Sequence, residues 1–194
     1  MWPTDTGAVS TTAPPMFDLD TTLFLWINAN AASPGWVVTL ARLASTEFVQ
    51  WLMAGTAGAF LVGDARLRRI VLRVLLAMAT AWLVARFIQH MWPMPRPFAV
   101  GLGTVWLSHG DSAGFPSTHS SVMFAFAATV AFYARNRSAA VAAVAAALLV
   151  AWSRVCLGLH FPFDVLTGML VGVFSAWLCA MAPSLVPGAR TAHE

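Results

Sequence analysis

From Phe17 onward the chain is a series of long apolar runs cut by short polar breaks, with no strict alternation inside the runs. Continuous runs predict membrane helices: a spanning helix needs roughly 20 apolar residues, whereas a barrel strand alternates. Five spans are expected, over approximately 46–63, 69–91, 117–134, 138–157 and 163–182. Gly63-Asp64 closes the first span, and Pro93 and Pro95 close the second. Pro116-Ser117 opens the third, Arg135-Asn136-Arg137 is a tight turn, and Phe161-Pro162 precedes the last. Earlier, Phe17–Asn30 mixes Asp18, Asp20, Asn28 and Asn30 with large apolar side chains, which reads as an interfacial helix. Ser33-Pro34-Gly35 separates it from a second piece at 36–44. The expected fold class is an all-α, polytopic helical membrane bundle. It has five transmembrane helices, or six if 17–44 also crosses, with an N-terminal interfacial helix. A polar tail at 1–16, one membrane domain at 17–183 and a short tail at 184–194 complete the division. Residues 1–16 lack the basic segment and apolar core of a cleavable signal.

Composition sharpens this picture. Of 194 residues 59% are hydrophobic and 10% charged, well below the roughly 25% charged residues of a soluble domain. All 11 basic residues are arginine, and the pI is near 9.7. The arginines are scattered among apolar runs, so no basic stripe suggests nucleic acid. Alternate passage of the helices puts Arg66, Arg68, Arg69, Arg135 and Arg137 on one face, with Arg73 able to snorkel to it. The other face holds connection 92–116 and turn 158–162, where Arg96 is the loop arginine. The positive-inside rule makes the first face cytoplasmic and the second external. Cys156 and Cys179 sit in apolar context with no CxxC or metal spacing and are expected to be buried thiols.

Polar residues are costly inside a membrane chain, so their positions are informative. Helix counting alone brings three groups to the external face: Arg96-Pro97, Pro116-Ser117-Thr118-His119, and Ser153-Arg154 with His160 and Asp164. Singly, Ser117 is an N-cap, His119 an interior histidine, Arg154 an interfacial anchor, and Asp164 a helix-dipole partner. Together, two arginines, a serine at a helix start and two histidines make an anion site with acid/base capability. His160 and Asp164 are four residues apart, so the carboxylate can hold the proton of one imidazole nitrogen and leave the other nucleophilic.

The segment from Ser153-Arg154 through His160 to Asp164 resembles the third signature of the type 2 phosphatidic acid phosphatase superfamily. Pro116-Ser117-Thr118-His119 is similar to its second signature and Arg96-Pro97 to the end of its first; the likeness covers roughly 86–170. The FPSTH form and the SRVCLGLHFPFDVL stretch most resemble bacterial undecaprenyl-diphosphate phosphatases. One position departs from the pattern: the lysine that opens the first signature is Gln89 here. Gln89 can donate a hydrogen bond to phosphate but brings no charge, and Arg86 and His90, near it on the same helix end, are candidates to compensate.

The resemblance implies two-step phosphoryl transfer. His160 attacks phosphorus, oriented by Asp164, and His119 protonates the leaving oxygen and then activates water. Arg96, Arg154, Ser117, Thr118 and Gln89 bind the phosphate oxygens. No metal or other cofactor is implied, and Glu47, Asp111 and Asp164 are dispersed along the chain. The expected substrate is an isoprenoid lipid diphosphate, undecaprenyl diphosphate, cleaved at its terminal phosphate outside a bacterial inner membrane. Rival readings are the same chemistry on phosphatidylglycerol phosphate, phosphatidate or lipid A, an idle lipid-binding or transport relative, and a vanadium haloperoxidase; the membrane composition disfavours the last. Lesser expectations are a head-group role for Glu47 and Gln50, a place for His109 and Asp111 on the active side, and bundle packing through Gly168 and Gly172.

Overall fold

The computed structural model describes residues 15–182 apart from 109, 111 and 135. The expectations for the outer parts of both tails, for His109 and Asp111, and for Arg135 therefore lie outside the described residues. Seven α-helices follow one another: α1 Pro15–Ile27, α2 Gly35–Ser45, α3 Glu47–Val62, α4 Ala65–Met91, α5 Thr118–Tyr133, α6 Arg137–Cys156 and α7 Pro162–Met181. A 3-10 turn at Pro97–Val100 interrupts the long connection between α4 and α5.

Local chemistry sets the helix starts. Asp64 caps α4 by accepting from the Leu67 N–H at 2.7 Å, and Asn136 caps α6 by accepting from Ser138 N–H at 2.8 Å. In α7 Pro162 takes the first turn, where a missing N–H costs nothing, and Asp164 reaches back to the Phe161 N–H at 2.9 Å.

Three helices are long and apolar enough to cross a membrane: α4 with 27 residues, and α6 and α7 with 20 each. The two others expected to span, α3 and α5, have 16 residues each. At 1.5 Å per residue that is about 24 Å, short of a hydrocarbon core of about 30 Å. The physical reasons are local. Each helix is one residue shorter at either end than the run expected: Thr46 separates α2 from α3 and Gly63 ends α3. Helix α5 starts only at Thr118, its cap Ser117 being wholly buried and donating its N–H to the Asp164 carbonyl at 2.9 Å.

Helix α5 is the centre, packed against α4, α6 and α7. Its partner α7 runs parallel to it: Gly168 lies against Ser117 and Ser121, and Gly172 against Ser121 and Ala125. Helix α4 is antiparallel, since Gln89 meets Thr118 at one end while Arg73 stacks 4.3 Å from the Tyr133 ring at the other. Val74, Ala77, Met78 and Ala81 of α4 fill one core with Ala125 and Ala176, while Met123, Phe124 and Ala127 meet Ala147 and Val150 of α6 in another. Large apolar side chains such as Leu83, Phe87, Leu170 and Phe174 point outward, the expected surface of a lipid-facing bundle.

The polar ends differ. Arg66, Arg68 and Arg69 open α4 and Arg137 opens α6, at the end that also holds Gly63 and Tyr133. The opposite end gathers connection 92–117 and the turn between α6 and α7. Asn28, at the end of α1, ties that end together. Its amide donates to the Thr104 carbonyl at 2.9 Å and the Cys156 carbonyl at 3.0 Å, and its carbonyl accepts from Thr104 N–H at 2.7 Å. The N-terminal helices are thus struts for the loops that carry the polar constellation.

Candidate active site

Three separate segments deliver the functional side chains to this end. Arg96 stands just before the 3-10 turn, His119 is the second residue of α5, and His160 lies in the turn before α7. His160 is 1% exposed and Asp164 5%, so their contact is sheltered from water. The His160 Nδ1 lies 3.4 Å from Asp164 Oδ2, an oxygen that also takes the Phe161 N–H. The far ring nitrogen, Nε2, is 3.0 Å from Arg96 Nη1. The carboxylate favours the tautomer with hydrogen on Nδ1, so Nε2 carries the lone pair and Arg96 donates to it.

Arg96 is locked from several directions. Its Nε donates to the Ser112 carbonyl at 2.8 Å, Nη1 to the Leu159 carbonyl at 3.0 Å, and Nη2 to Ser112 Oγ at 3.1 Å. Burial lowers the pKa of this guanidinium and the Asp164 charge opposes the shift.

Arg154, in the last turn of α6, is 2% exposed. Its Nη1 donates to Ser45 Oγ at 2.6 Å, while Nε and Nη2 have no hydrogen-bond partner among the described residues. Buried arginine N–H groups without an acceptor are rare in proteins and point to an anion that supplies one. Ser117 serves α5: its hydroxyl oxygen accepts from the Ser120 hydroxyl at 3.2 Å and from Ser120 N–H.

A cavity of about 290 Å³ is lined by Trp82, Arg86, Gln89, Arg96, Ser112, Thr118, His119 and His160. Four of the residues expected in the site line it with His160: Gln89, Arg96, Thr118 and His119. Ser117 and Arg154 are not among the lining residues: Ser117 caps α5, and Arg154 is buried at the end of α6. Gln89 has a different duty from the expected one. Both of its amide hydrogens are taken inside the protein, by the Pro116 carbonyl at 2.9 Å and by Thr118 Oγ1 at 3.0 Å. It anchors α4 to the start of α5, and its own carbonyl accepts from Arg86 Nη1 at 3.0 Å.

Sequence reasoning did not single out Ser45, Ser112 or Asp20. Asp20 in α1 accepts from the Phe163 N–H at 3.0 Å and so supports the first turn of α7, beside Asp164. Glu47 and Gln50 are exposed and line neither this cavity nor its neighbour. Among the described residues no three His, Cys, Asp or Glu side chains come together.

A model of the PAP2 superfamily matches residues 70–185, more than half of the chain and all three polar groups. The chain belongs to the PAP2 superfamily. Among its relatives is YbjG of Escherichia coli K12, named provisionally an undecaprenyl-diphosphatase, 33% identical over 156 residues that cover 80% of this chain and 78% of YbjG. The undecaprenyl-diphosphatase BcrC of Bacillus subtilis 168 is 29% identical over 119 residues, 61% of each chain. The crystal structure of the transmembrane PAP2-type phosphatidylglycerolphosphate phosphatase of Bacillus subtilis has the same fold. Its TM-score is 0.70 at 22% identity, covering 92% of this chain and 91% of that one. This PAP2 protein is thus a membrane phosphatase, and its all-helical fold is the one the solved relative has.

Proposed function

We propose that this protein removes the terminal phosphate of undecaprenyl diphosphate through a phosphohistidine on His160, at the outer face of a bacterial inner membrane. One observation carries the substrate class. The cavity beside His160 adjoins a second one, of about 260 Å³, lined by Val49, Leu52, Met53, Met78, Trp82, Thr118, His119, Val122 and Met123. The two share Trp82, Thr118 and His119, so a polar head beside His160 leads into an apolar channel for its chain. Relatives named undecaprenyl-diphosphatases support the head group.

The residues perform the steps as follows. Phosphate oxygens draw the Arg96 N–H off Nε2 of His160, so binding itself uncovers the nucleophile. Nε2 then bonds to the terminal phosphorus as the bridging P–O bond breaks, and His119 gives its proton to the leaving lipid phosphate. Water next attacks phosphorus, passes a proton to His119, and the N–P bond breaks to release phosphate. Arg96 and the unpartnered nitrogens of Arg154 hold the equatorial oxygens, where charge builds in the transition state. Asp164 keeps His160 in one tautomer and stabilises its positive charge.

Phosphate release from a panel of lipid phosphates, in detergent with excess EDTA, tests both substrate and mechanism. The diphosphate is expected to be cleaved fastest, and EDTA to leave the rate intact, because arginines supply the cationic charge. Preference for a glycerophospholipid would replace the substrate, and loss of activity restored by Mg²⁺ would contradict the metal-free mechanism. Sidedness has its own test, resting on the basic clusters at the start of α4 and α6. A cysteine at Ser108 should react with a membrane-impermeant thiol reagent in intact spheroplasts, and one at Asn136 only after permeabilisation. The reverse pattern would turn the site to the cytoplasm.

A further inference from the structure

We infer that Arg86, held on Gln89, is the binding site for the second, lipid-linked phosphate of a diphosphate substrate; this rests on the substrate proposed above. The face of α4 that meets the cavities presents four residues in order. Met78 lines the apolar cavity, Trp82 lines both, and Arg86 and Gln89 line the polar one. Successive steps along this face are three or four residues, about 4.5–6 Å of helix, so the ladder changes from apolar to cationic to the level of Gln89 about one turn at a time. A lipid diphosphate has the same order: apolar chain, inner phosphate, terminal phosphate. With the terminal phosphate beside His160 and the chain in the apolar cavity, the inner phosphate falls at the level of Arg86.

The chemistry fits that place. Arg86 is exposed, five residues before the end of α4, so its guanidinium is open to a ligand that enters the polar cavity it lines. Arg86 gives one N–H to Gln89 Oε1 at 3.0 Å, and its other N–H groups make no hydrogen bond among the described residues. Gln89 in turn is fixed to Pro116 and Thr118, so the guanidinium is carried on a braced support beside the residue, Thr118, that both cavities share. The inner phosphate is also the leaving group, and it gains negative charge as the bridging bond breaks; a cation there acts on both binding and leaving. A lipid monophosphate has no group at this level. Arg86 therefore selects diphosphates over monophosphates.

The experiment compares competitive inhibition of the detergent-solubilised full chain by a prenyl methylenediphosphonate and by the prenyl monophosphonate of the same chain length. Arg86→Gln should raise the inhibition constant of the diphosphonate by about tenfold or more, and that of the monophosphonate by less than about twofold. Arg86→Lys, which keeps the charge but not the fork, should fall between and serves if the glutamine variant does not fold. Equal weakening of both inhibitors, or of neither, in the variant that folds would show that Arg86 only anchors the helix and would overturn the assignment. Wild-type turnover separates the two ideas. An enzyme that cleaves monoesters but not the diphosphate fails the substrate reading, whereas diphosphate cleavage with equal weakening of both inhibitors fails the Arg86 assignment alone.

Discussion

His160→Ala is expected to abolish turnover on every substrate, whereas His119→Ala is expected to slow lipid hydrolysis by about 10²–10⁴ and to slow less a substrate whose leaving group needs no proton. The difference follows from position. His160 lines the polar cavity, its Nδ1 held by Asp164 and its Nε2 met by Arg96. His119 lies where the polar and apolar cavities meet, the level at which the bond to the lipid breaks. A nitrophenyl phosphate ester with a low-pKa leaving group should therefore lose less rate in His119→Ala than the lipid does, the release of nitrophenol outrunning the release of phosphate because water still lacks its base, and should not be cleaved at all by His160→Ala. Asp164→Asn should lie between, because it weakens orientation and charge support but leaves the imidazole in place. Rescue of His160→Ala by the activated ester, without rescue of His119→Ala, would reverse the two roles.

Gly172→Ala should destabilise the protein by about 1–3 kcal/mol or more and cut activity with it. A methyl group there meets the Ser121 carbonyl, the Ala125 nitrogen at 2.7 Å and the Phe124 Cβ at 2.9 Å. Two of those atoms are helix backbone and cannot turn aside. Gly168→Ala meets the Ser117 carbonyl at 2.6 Å, one turn away along the same contact. Either change forces α5 and α7 apart. Since α5 carries His119 and α7 carries Asp164, separation also misaligns the chemistry, and a displacement of about 1 Å can cost on the order of 10² in rate. Thermal melting in detergent and kcat on the lipid substrate should fall together. Were these glycines a dimer face, the oligomer would dissociate while the melting temperature of the monomer held.

The legible part of this molecule was what local sequence controls. Ser117 and Pro162 mark helix starts because capping acts within one turn, whereas Asp64, read as the close of one span before a loop at 64–69, also caps α4, which begins four residues earlier than expected, at Ala65. The candidate site was legible as a cluster because His160 and Asp164 are four apart on the chain and the other groups keep a family spacing. What escaped was set by long-range contacts. Asn28 bonds to Cys156 across 128 positions and Ser45 to Arg154 across 109, and neither pairing leaves a periodic trace. Gln89 read as a phosphate donor because its side chain can donate; only the fold shows that Pro116 and Thr118 take both hydrogens and that Arg86 rides on its carbonyl.

The central claim is that phosphate passes through a covalent bond to His160. The direct measurement is to mix the enzyme with lipid diphosphate labelled on its terminal phosphate, quench within a turnover, and locate the label by peptide mapping. The account predicts label on the peptide containing His160, stable to base, lost in acid, and missing from His160→Ala. Label on His119 or on a carboxylate, or steady turnover through a quench that traps none, would contradict it.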